Sequence, residues 1–322
     1  MFNIKGKYHP NKEYKYKDLS TIIRKHNILC TALQETKLTP DEEINLQNIA
    51  TKILILNNPN TMNDRSAGTA FVLNKDKLKN KTWDHTILIP GRAARIKIKT
   101  ENKTQLDILN IYSPNETNEK INFWKTLNQK IKDIPDWENP ILMGDFNFVE
   151  SAIDRLPAHR DERSITNAFN PIKEYLKIVD GWRIHNETEQ TYTFQKTNPP
   201  ALTHIDRIYV NKNQTDEFQN WEITENYNLS NHQIVITEKI PKTTPIKGPG
   251  LWRLNNSDEQ HLPTRKRIKK TSRNHQKTTG IPQHKQRKQK STNHLGNNKR
   301  KNLKNLQRRI KTEKKPNDQR KE

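Results

Sequence analysis

Residues 141–149 (ILMGDFNFV) constrain the fold more than any other stretch of this chain. Their apolar start predicts a buried strand, and Gly144 predicts a turn at its end. Asp145 and Asn147 are two residues apart, so a strand that continues briefly points both to one face. A carboxylate beside an amide suits hydrolysis at phosphorus, because the first can orient or deprotonate a water and the second can donate to a phosphoryl oxygen. The alternative is an Asx turn that only closes the strand.

Charge is distributed unevenly along the 322 residues. The net charge is +22, and residues 251–322 carry +18 of it through 23 basic and 5 acidic side chains. Hydrophobic residues make up 30% of the chain, which indicates that part of it stays outside a core. We therefore expect a folded domain over residues 1–242 and a disordered basic tail over residues 243–322. The tail favours a polyanionic partner, nucleic acid ahead of an anionic membrane; the alternative is a solvated charge run or a decayed reading frame.

The sequence also excludes several classes of protein. Cys30 is the single cysteine, which rules out an internal disulfide framework and a thiolate zinc site. Its apolar neighbours Ile28 and Leu29 predict a buried, unreactive thiol. No stretch approaches the roughly 20 apolar residues that a transmembrane helix needs, and no apolar signal region opens the chain. We expect an intracellular protein that does not associate with a membrane.

Hydrophobic periodicity predicts many strands and few helices. Leu19, Ile22 and Ile23 predict a helix capped by Asp18; a second helix is predicted over residues 118–131, and a third over residues 165–176 with a break at Pro171. Besides the stretch at 141–149, strands are predicted over residues 27–33, 52–56, 68–73, 86–89, 92–99, 106–112, 191–194, 204–210, 221–224 and 234–237. In the strand over 92–99, basic residues alternate with apolar ones, so one face is expected to be wet. This mixture predicts an α/β or α+β sandwich of sheets.

Polar side chains stand where several of these strands end. They are Asn3, Glu35, Tyr112, Asp145, Asn147, Asp206 and His232. Loops at one edge of layered sheets converge on a site. Carboxylates there can hold Mg²⁺, a histidine can act as acid, base or phosphate ligand, and tyrosine and asparagine can donate to phosphoryl oxygens. The set predicts metal-assisted phosphodiester hydrolysis.

Short segments in a fixed order carry a family resemblance. They are residues 3–6 (NIKG), 33–36 (LQET), 110–115 (NIYSPN), 143–147 (MGDFN), 153–155 (IDR), 191–194 (TYTF), 205–208 (IDRI) and 230–232 (SNH). In these segments the chain resembles the endonuclease/exonuclease/phosphatase family, and within it the apurinic-like endonucleases of non-LTR retrotransposons, in particular fungal versions. The resemblance implies a four-layer α/β sandwich, two mixed sheets back to back with helices outside. It also implies a nuclear, monomeric enzyme that takes Mg²⁺ or Mn²⁺ and acts on DNA, with RNA a second partner for the tail.

The resemblance assigns a role to each matching residue. Glu35 is implied as the principal metal ligand, with Asn3 positioning metal or phosphate and Asn231 standing where the family has a metal-tuning aspartate. Tyr112 is implied as a donor to the scissile phosphate. Asp145 is implied to align the nucleophilic water, and Asn147 to steady the phosphate. Asp206 is implied to hold the ring of His232 against the phosphate. Arg155 and Thr193 are implied to lie near the DNA backbone or to support the site.

Three departures from the family pattern leave alternatives open. Asn231 cannot carry the charge of the usual aspartate, Lys5 stands where the family has an asparagine or aspartate, and only two residues precede Asn3, which suggests a clipped first strand. An aspartate-to-asparagine change beside a catalytic histidine lowers the rate in a serine protease, and we expect the same direction here. The alternatives to an active endonuclease are a catalytically weak nucleic-acid-binding relict and a hydrolase of small phosphoesters.

Overall fold

The computed structural model describes residues 1–6, 14–63, 66–99 and 105–240. The predicted tail over residues 243–322 lies outside this range. The helices are α1 (Tyr14–Lys25), α2 (Pro40–Ile49), α3 (Thr117–Lys132), α4 (Arg163–Leu176) and α5 (Gly181–His185). The strands are β1 (Phe2–Asn3), β2 (Cys30–Gln34), β3 (Ile53–Asn58), β4 (Thr69–Asn74), β5 (Thr82–Ile89), β6 (Ala93–Lys99), β7 (Gln105–Tyr112), β8 (Ile141–Asp145), β9 (Arg155–Leu156), β10 (Ile178–Asp180), β11 (Phe194–Thr197), β12 (Pro200–Thr203), β13 (Asp206–Asn211), β14 (Phe218–Thr224) and β15 (Ile234–Lys239).

Two large sheets organise the described part of the chain. The first has the strand order β1-β2-β4-β3, and the second has the order β10-β13-β8-β7-β6-β5. Both are mixed, since β1 and β2 run parallel, as do β7 and β8, while their other neighbours are antiparallel. Met1 exchanges two backbone hydrogen bonds with Val235, of 2.7 and 3.1 Å, which places the β14-β15 pair beside β1. A small sheet, β11-β12-β9, completes the set.

Three apolar clusters hold the layers together. One lies between the two sheets and contains Phe71, Ile96 and Met143. A second packs α3 and α4 on the outer face of the second sheet, around Trp124. The third packs α1 and α2 on the outer face of the first sheet, around Ile23. The layer order is therefore helices, sheet, sheet, helices, which confirms the four-layer sandwich predicted from the sequence.

Several local predictions were wrong, each for a physical reason. Asp18 does not cap α1, because the helix already begins at Tyr14. Pro171 does not break α4, since Phe169 and Ile172 on either side of it are fully buried in one core. Gly144 is not at a turn but inside β8, where a Cβ atom would lie 1.9 Å from the carbonyl oxygen of Ile111 on the adjacent strand.

The face of β6 that was expected to be wet is partly buried. Arg95 is 5% exposed, because its guanidinium donates to both oxygens of Asp107 at 2.7 and 2.6 Å and lies 3.9 Å from the ring centre of Trp137. A buried arginine is stable when its charge and its donors are matched in this way. Among the helices that the structure describes, none is long and apolar enough to cross a lipid bilayer.

Candidate active site

The site lies at one end of the core between the two sheets. On β7, β8 and β13, alternate residues face that core, and the last inward positions are Tyr112, Asp145 and Asp206. Asp145 is paired in register with Tyr112 on one side and with Asp206 on the other. Three neighbouring strands thus set a phenol and two carboxylates side by side.

The first sheet adds Asn3 and Glu35 to this row. The side-chain amide of Asn3 donates to Asp145 Oδ2 at 2.8 Å and approaches Glu35 Oε1 at 3.4 Å. The Tyr112 hydroxyl donates to Glu35 Oε1 at 2.8 Å. Deeper between the sheets, Gln34 donates to Asn110 at 2.6 Å, which ties β2 to β7 just behind the site. The prediction that these strand ends share one edge agrees with these contacts.

Asp145 and Asn147 form an Asx turn. Asp145 Oδ1 accepts a hydrogen bond of 2.9 Å from the backbone N–H of Asn147, whose φ of 51° is left-handed. The Asn147 side-chain amide donates to the carbonyl of Ser113 at 2.7 Å. The Asx turn is therefore compatible with a role of Asp145 in hydrolysis, because the turn fixes Oδ1 while Oδ2 faces Asn3.

Asp206 and His232 are a buried pair. His232 Nδ1 lies 2.8 Å from Asp206 Oδ2, and the Thr193 hydroxyl donates to the same oxygen at 2.7 Å. The ring of Phe194 lies 4.5 Å from the imidazole, centre to centre. These contacts fix the orientation of the imidazole, because one ring nitrogen is bonded and one ring face is covered.

Burial and mutual charge shift the acid–base properties of the site. Burial raises the pKa of Asp145, and the nearby Asp206 carboxylate raises it further. Burial alone would lower the pKa of His232, but the charge of Asp206 and the hydrogen bond to it raise that pKa to about 8. Burial, followed by the charges of Glu35 and Asp145, raises the pKa of the Tyr112 hydroxyl, which keeps it a donor. At neutral pH the site therefore holds a protonated phenol and a protonated imidazole.

The donor set fits a hard divalent cation. Carboxylate oxygens of Asp145 and Asp206 lie within 4.8 Å of each other and of a ring nitrogen of His232. Asp206 Oδ1 is buried and accepts no hydrogen bond from any described residue. Glu35 adds a third carboxylate, linked to Asp145 through Asn3. Crowded carboxylates with an oxygen left unpaired are the environment that Mg²⁺ or Mn²⁺ neutralises through oxygen ligands.

Three other predicted residues lie around this cluster. Asn231 donates to the backbone carbonyl of Gln195 at 3.2 Å, and its Oδ1 is buried without a partner among the described residues; its role as a metal ligand stays a prediction. Arg155 is engaged with Asp161 through two hydrogen bonds of 3.0 and 2.8 Å. Thr193 is fully buried and donates to Asp206 Oδ2, and its place near the DNA backbone stays a prediction.

The sequence interpretation missed Lys120 and the Arg207 network. Lys120, on α3, donates from Nζ to the backbone carbonyl of Asn147 at 2.6 Å. The clue to Lys120 in the sequence was a lysine on the apolar stripe of α3, which continues at Trp124. Arg207 is 2% exposed and bonds Asp154 at 2.8 Å and also Asp180. The clue to Arg207 in the sequence was weak, because an arginine next to Asp206 resembles an ordinary residue at a sheet edge.

Comparison with known proteins agrees with this fold. The chain is 25% identical over 244 residues to the transposon TX1 uncharacterized 149 kDa protein of Xenopus laevis; the match covers 74% of this chain and 18% of that protein. It superposes on the AP endonuclease LMAP of Leishmania major with a TM-score of 0.61 and 14% identity, covering 72% of this chain and 84% of the other. The endonuclease domain of TRAS1, a telomere-specific non-LTR retrotransposon, superposes with a TM-score of 0.52 and 12% identity, covering 71% and 93%.

The family follows from a match across most of the described chain. Residues 2–224 fit the model of the endonuclease/exonuclease/phosphatase family, and this range contains Asn3, Glu35, Tyr112, Asp145 and Asp206. The resemblance inferred from the short motifs is thereby confirmed at the level of the family. The narrower resemblance to retrotransposon endonucleases agrees with the TX1 and TRAS1 similarities, whereas the fungal origin stays a prediction. The chain belongs to the endonuclease/exonuclease/phosphatase family.

Proposed function

We propose that the protein is a divalent-metal-dependent endonuclease that nicks DNA, of the type found in non-LTR retrotransposons. The observation that carries the proposal is the row of Tyr112, Asp145 and Asp206 across three strands, closed from the other sheet by Asn3 and Glu35. The similarity to a transposon protein and to a retrotransposon endonuclease domain supports the assignment to this type.

The carboxylates divide into two roles. Glu35 would hold Mg²⁺ or Mn²⁺, which when bound withdraws charge from the phosphate and stabilises the leaving oxygen. The side-chain amide of Asn3 positions the carboxylates of Glu35 and Asp145. Asp145 is held by Asn3 on one oxygen and by the Asn147 amide on the other. It is the group placed to orient and deprotonate the attacking water, and its raised pKa brings it closer to the value that suits a base near neutral pH.

Two donors of this site suit the phosphate itself. His232, whose pKa is about 8, is mostly cationic at neutral pH and offers a charge-assisted hydrogen bond to a phosphate oxygen. Asp206 keeps that ring in place through Nδ1, so Nε2 is the nitrogen left for the substrate. Tyr112 stays protonated and can turn its hydroxyl from Glu35 toward the phosphate. Donors placed before the substrate arrives stabilise the charge of the transition state most effectively.

The basic tail supports DNA over a small phosphoester as the substrate. Residues 251–322 carry a net charge of +18, which suits the phosphate backbone of a long polyanion. The same charge suits RNA as a second partner, and for such an enzyme we expect a nuclear location.

Nicking of supercoiled plasmid in Mg²⁺ tests the proposal. We expect wild-type protein to convert supercoiled to open-circular DNA, and Asp145→Asn to lower the rate about 10²- to 10⁴-fold, the range for loss of a general base. Asp76→Asn is the matched control, because it removes an exposed carboxylate at the end of β4 and should leave the rate unchanged. Equal rates for wild type and Asp145→Asn would contradict the mechanism.

The alternative function, a catalytically weak nucleic-acid-binding relict, predicts a different result in the same assay. It rests on Asn231 and Lys5, which replace residues that carry or bind charge in the family. If wild-type protein binds DNA in a salt-dependent manner but nicks no faster than Asp145→Asn, the chain is a binding protein rather than an enzyme.

A further inference from the structure

Lys120 is buried at a position where the helix would be expected to hold an apolar side chain. It lies on the inward stripe of α3 together with Phe123, Trp124 and Leu127, and it is 4% exposed. It is also the fourth residue of the helix, near the end where the helix dipole disfavours a positive charge. A lysine buried in the first turn of an apolar face breaks two local rules at once, and such positions are often functional.

The contacts of Lys120 lead to the proposed base. Its Nζ donates to the backbone carbonyl of Asn147 at 2.6 Å. On the other side of the same residue, the Asn147 N–H donates to Asp145 Oδ1 at 2.9 Å. Asn147 is left-handed, with φ of 51°, a conformation that asparagine tolerates, and this conformation sets the direction of its carbonyl. One lysine therefore reaches Asp145 through a single residue.

Apolar contacts anchor the two neighbours of Asn147, but not Asn147 itself. Phe146 and Phe148 are buried and lie 5.6 and 6.0 Å from the ring centre of Trp124, on the same helix as Lys120. Helix α3 thus fixes the loop by two aromatic contacts and by one cationic hydrogen bond between them. The charge is partly matched, since burial lowers the pKa of Lys120 while Asp161 and Asp145 oppose that change.

We propose that Lys120 is a positioning residue for phosphodiester hydrolysis: its ammonium fixes the carbonyl of Asn147, and thereby the turn that aims the Asp145 carboxylate. This inference rests on the proposed function for its consequence in catalysis, although the positioning itself is a property of the fold. Lys120 touches neither water nor phosphate in this scheme and acts only through Asn147.

The experiment compares Lys120→Met with Lys120→Arg. Methionine keeps the buried stem and removes the ammonium, whereas arginine keeps a cationic donor. Lys125→Met, an exposed position on the same helix, is the control. We measure amide hydrogen exchange by NMR, single-turnover nicking of supercoiled plasmid, and binding of a DNA duplex.

In Lys120→Met we expect the Asn147 amide to exchange about tenfold faster, while amides in the middle of β6 and β7 keep their protection. Nicking should fall about 10- to 100-fold, as for a misaimed catalytic group, with DNA affinity changed less than about twofold. Lys120→Arg should recover part of both losses, and Lys125→Met should match wild type.

Two results would overturn the proposal: an Asn147 amide whose exchange is unchanged in Lys120→Met, or a rise in exchange that is equal across all strands, which would mean general destabilisation. The proposal would also be overturned if the Asn147 amide exchanges faster in Lys120→Met while this variant nicks DNA as fast as an active wild type. If wild-type protein does not nick DNA, the proposed function fails, and the exchange data alone decide whether Lys120 holds the turn.

Discussion

Asp206 and Arg207 are neighbours on β13, yet they belong to opposite kinds of charged cluster. Asp206 faces the core between the sheets and meets another carboxylate, Asp145, in the adjacent register position. Arg207 faces the other side of the same sheet and bonds two carboxylates, those of Asp154 and Asp180. Both residues are almost completely buried, with exposed fractions of 0% and 2%.

The difference lies in how completely each cluster is neutralised. On the Arg207 side, Arg183 also bonds Asp154, so two guanidinium groups face two carboxylates. On the Asp206 side, the carboxylates of Asp145 and Asp206 share one imidazole, that of His232. A balanced buried network serves the fold, whereas an unbalanced one retains charge for a ligand. Substitution of each neighbour should therefore affect a different property.

The largest expected effect is on the rate after Asp206→Asn. The amide cannot hold the imidazolium of His232, and it removes one negative charge from the cluster. We expect nicking to fall about 10³- to 10⁴-fold, by analogy with loss of the residue that orients a catalytic histidine. Relief of the repulsion between Asp145 and Asp206 offsets part of the stability lost when the buried imidazolium loses its partner, so the urea midpoint should fall by less than in Arg207→Met. A variant that nicks at the wild-type rate would show that the pair is structural.

Arg207→Met should mainly lower stability rather than the nicking rate. It leaves Asp154 with Arg183 alone and removes the guanidinium partner of Asp180, so buried charge goes unmatched. We expect the free energy of unfolding to fall by about 3 to 5 kcal/mol, measured by urea denaturation. The nicking rate per folded molecule should change less than about threefold. A stable variant with a much reduced rate would mean that this network belongs to the active site.

The sequence predicted the first cluster far better than the second. Asp145, Asp206 and Glu35 stand at strand ends that hydrophobic periodicity locates, and parity within a strand assigns them to one face. Their meeting across two sheets was predicted from the way loops converge at a sheet edge and from the family resemblance. The position of β8 between β7 and β13 depends on the order of strands in the sheet, which hydrophobic periodicity within one strand cannot predict.

Residues that act through long-range contacts could not be predicted in this way. Lys120 reaches Asn147 from a helix 27 positions away, and Arg207 reaches Asp154 across 53 positions. Local pattern also misplaced Gly144, because the demand for glycine comes from Ile111 on the neighbouring strand rather than from a turn. What the sequence concealed in each case is the identity of the neighbour in space.

The charge of His232 offers a smaller and pH-dependent effect. Its pKa is about 8 in the folded protein against an ordinary value of 6.5. The folded state therefore binds the proton more tightly, and the associated stability is fully present below pH 6.5 and is lost as the pH rises through 8. The shift corresponds to about 2 kcal/mol. Urea denaturation in EDTA at pH 6 to 9 measures it.

The informative quantity is the difference between wild type and His232→Gln. Burial lowers the pKa of the Met1 amine to about 6, so that group adds stability as the pH rises and opposes His232. Both proteins share the Met1 contribution, and subtraction removes it. The Asp145 carboxyl, whose raised pKa of about 7 depends on His232, titrates in the same range, so both proteins carry Asp145→Asn. The stability difference should then shrink by about 1 to 2 kcal/mol between pH 6 and pH 9. A constant difference would show that His232 is not charged in the fold.

The smallest expected effect is that of Asn231→Asp. This substitution tests the comparison most directly, because it adds a negative charge to the cluster of Asp145 and Asp206, in which carboxylates are already in excess. The Asn231 Oδ1 is buried and unpartnered within the described residues, next to His232 in sequence. If this oxygen faces the cation, a carboxylate there should lower the Mg²⁺ concentration for half-maximal nicking about tenfold. Gln195→Glu, on the strand that Asn231 contacts, adds the same charge at an exposed position and is the control. An equal change in both variants would mean a general field effect, and no change in either would place Asn231 outside the metal site.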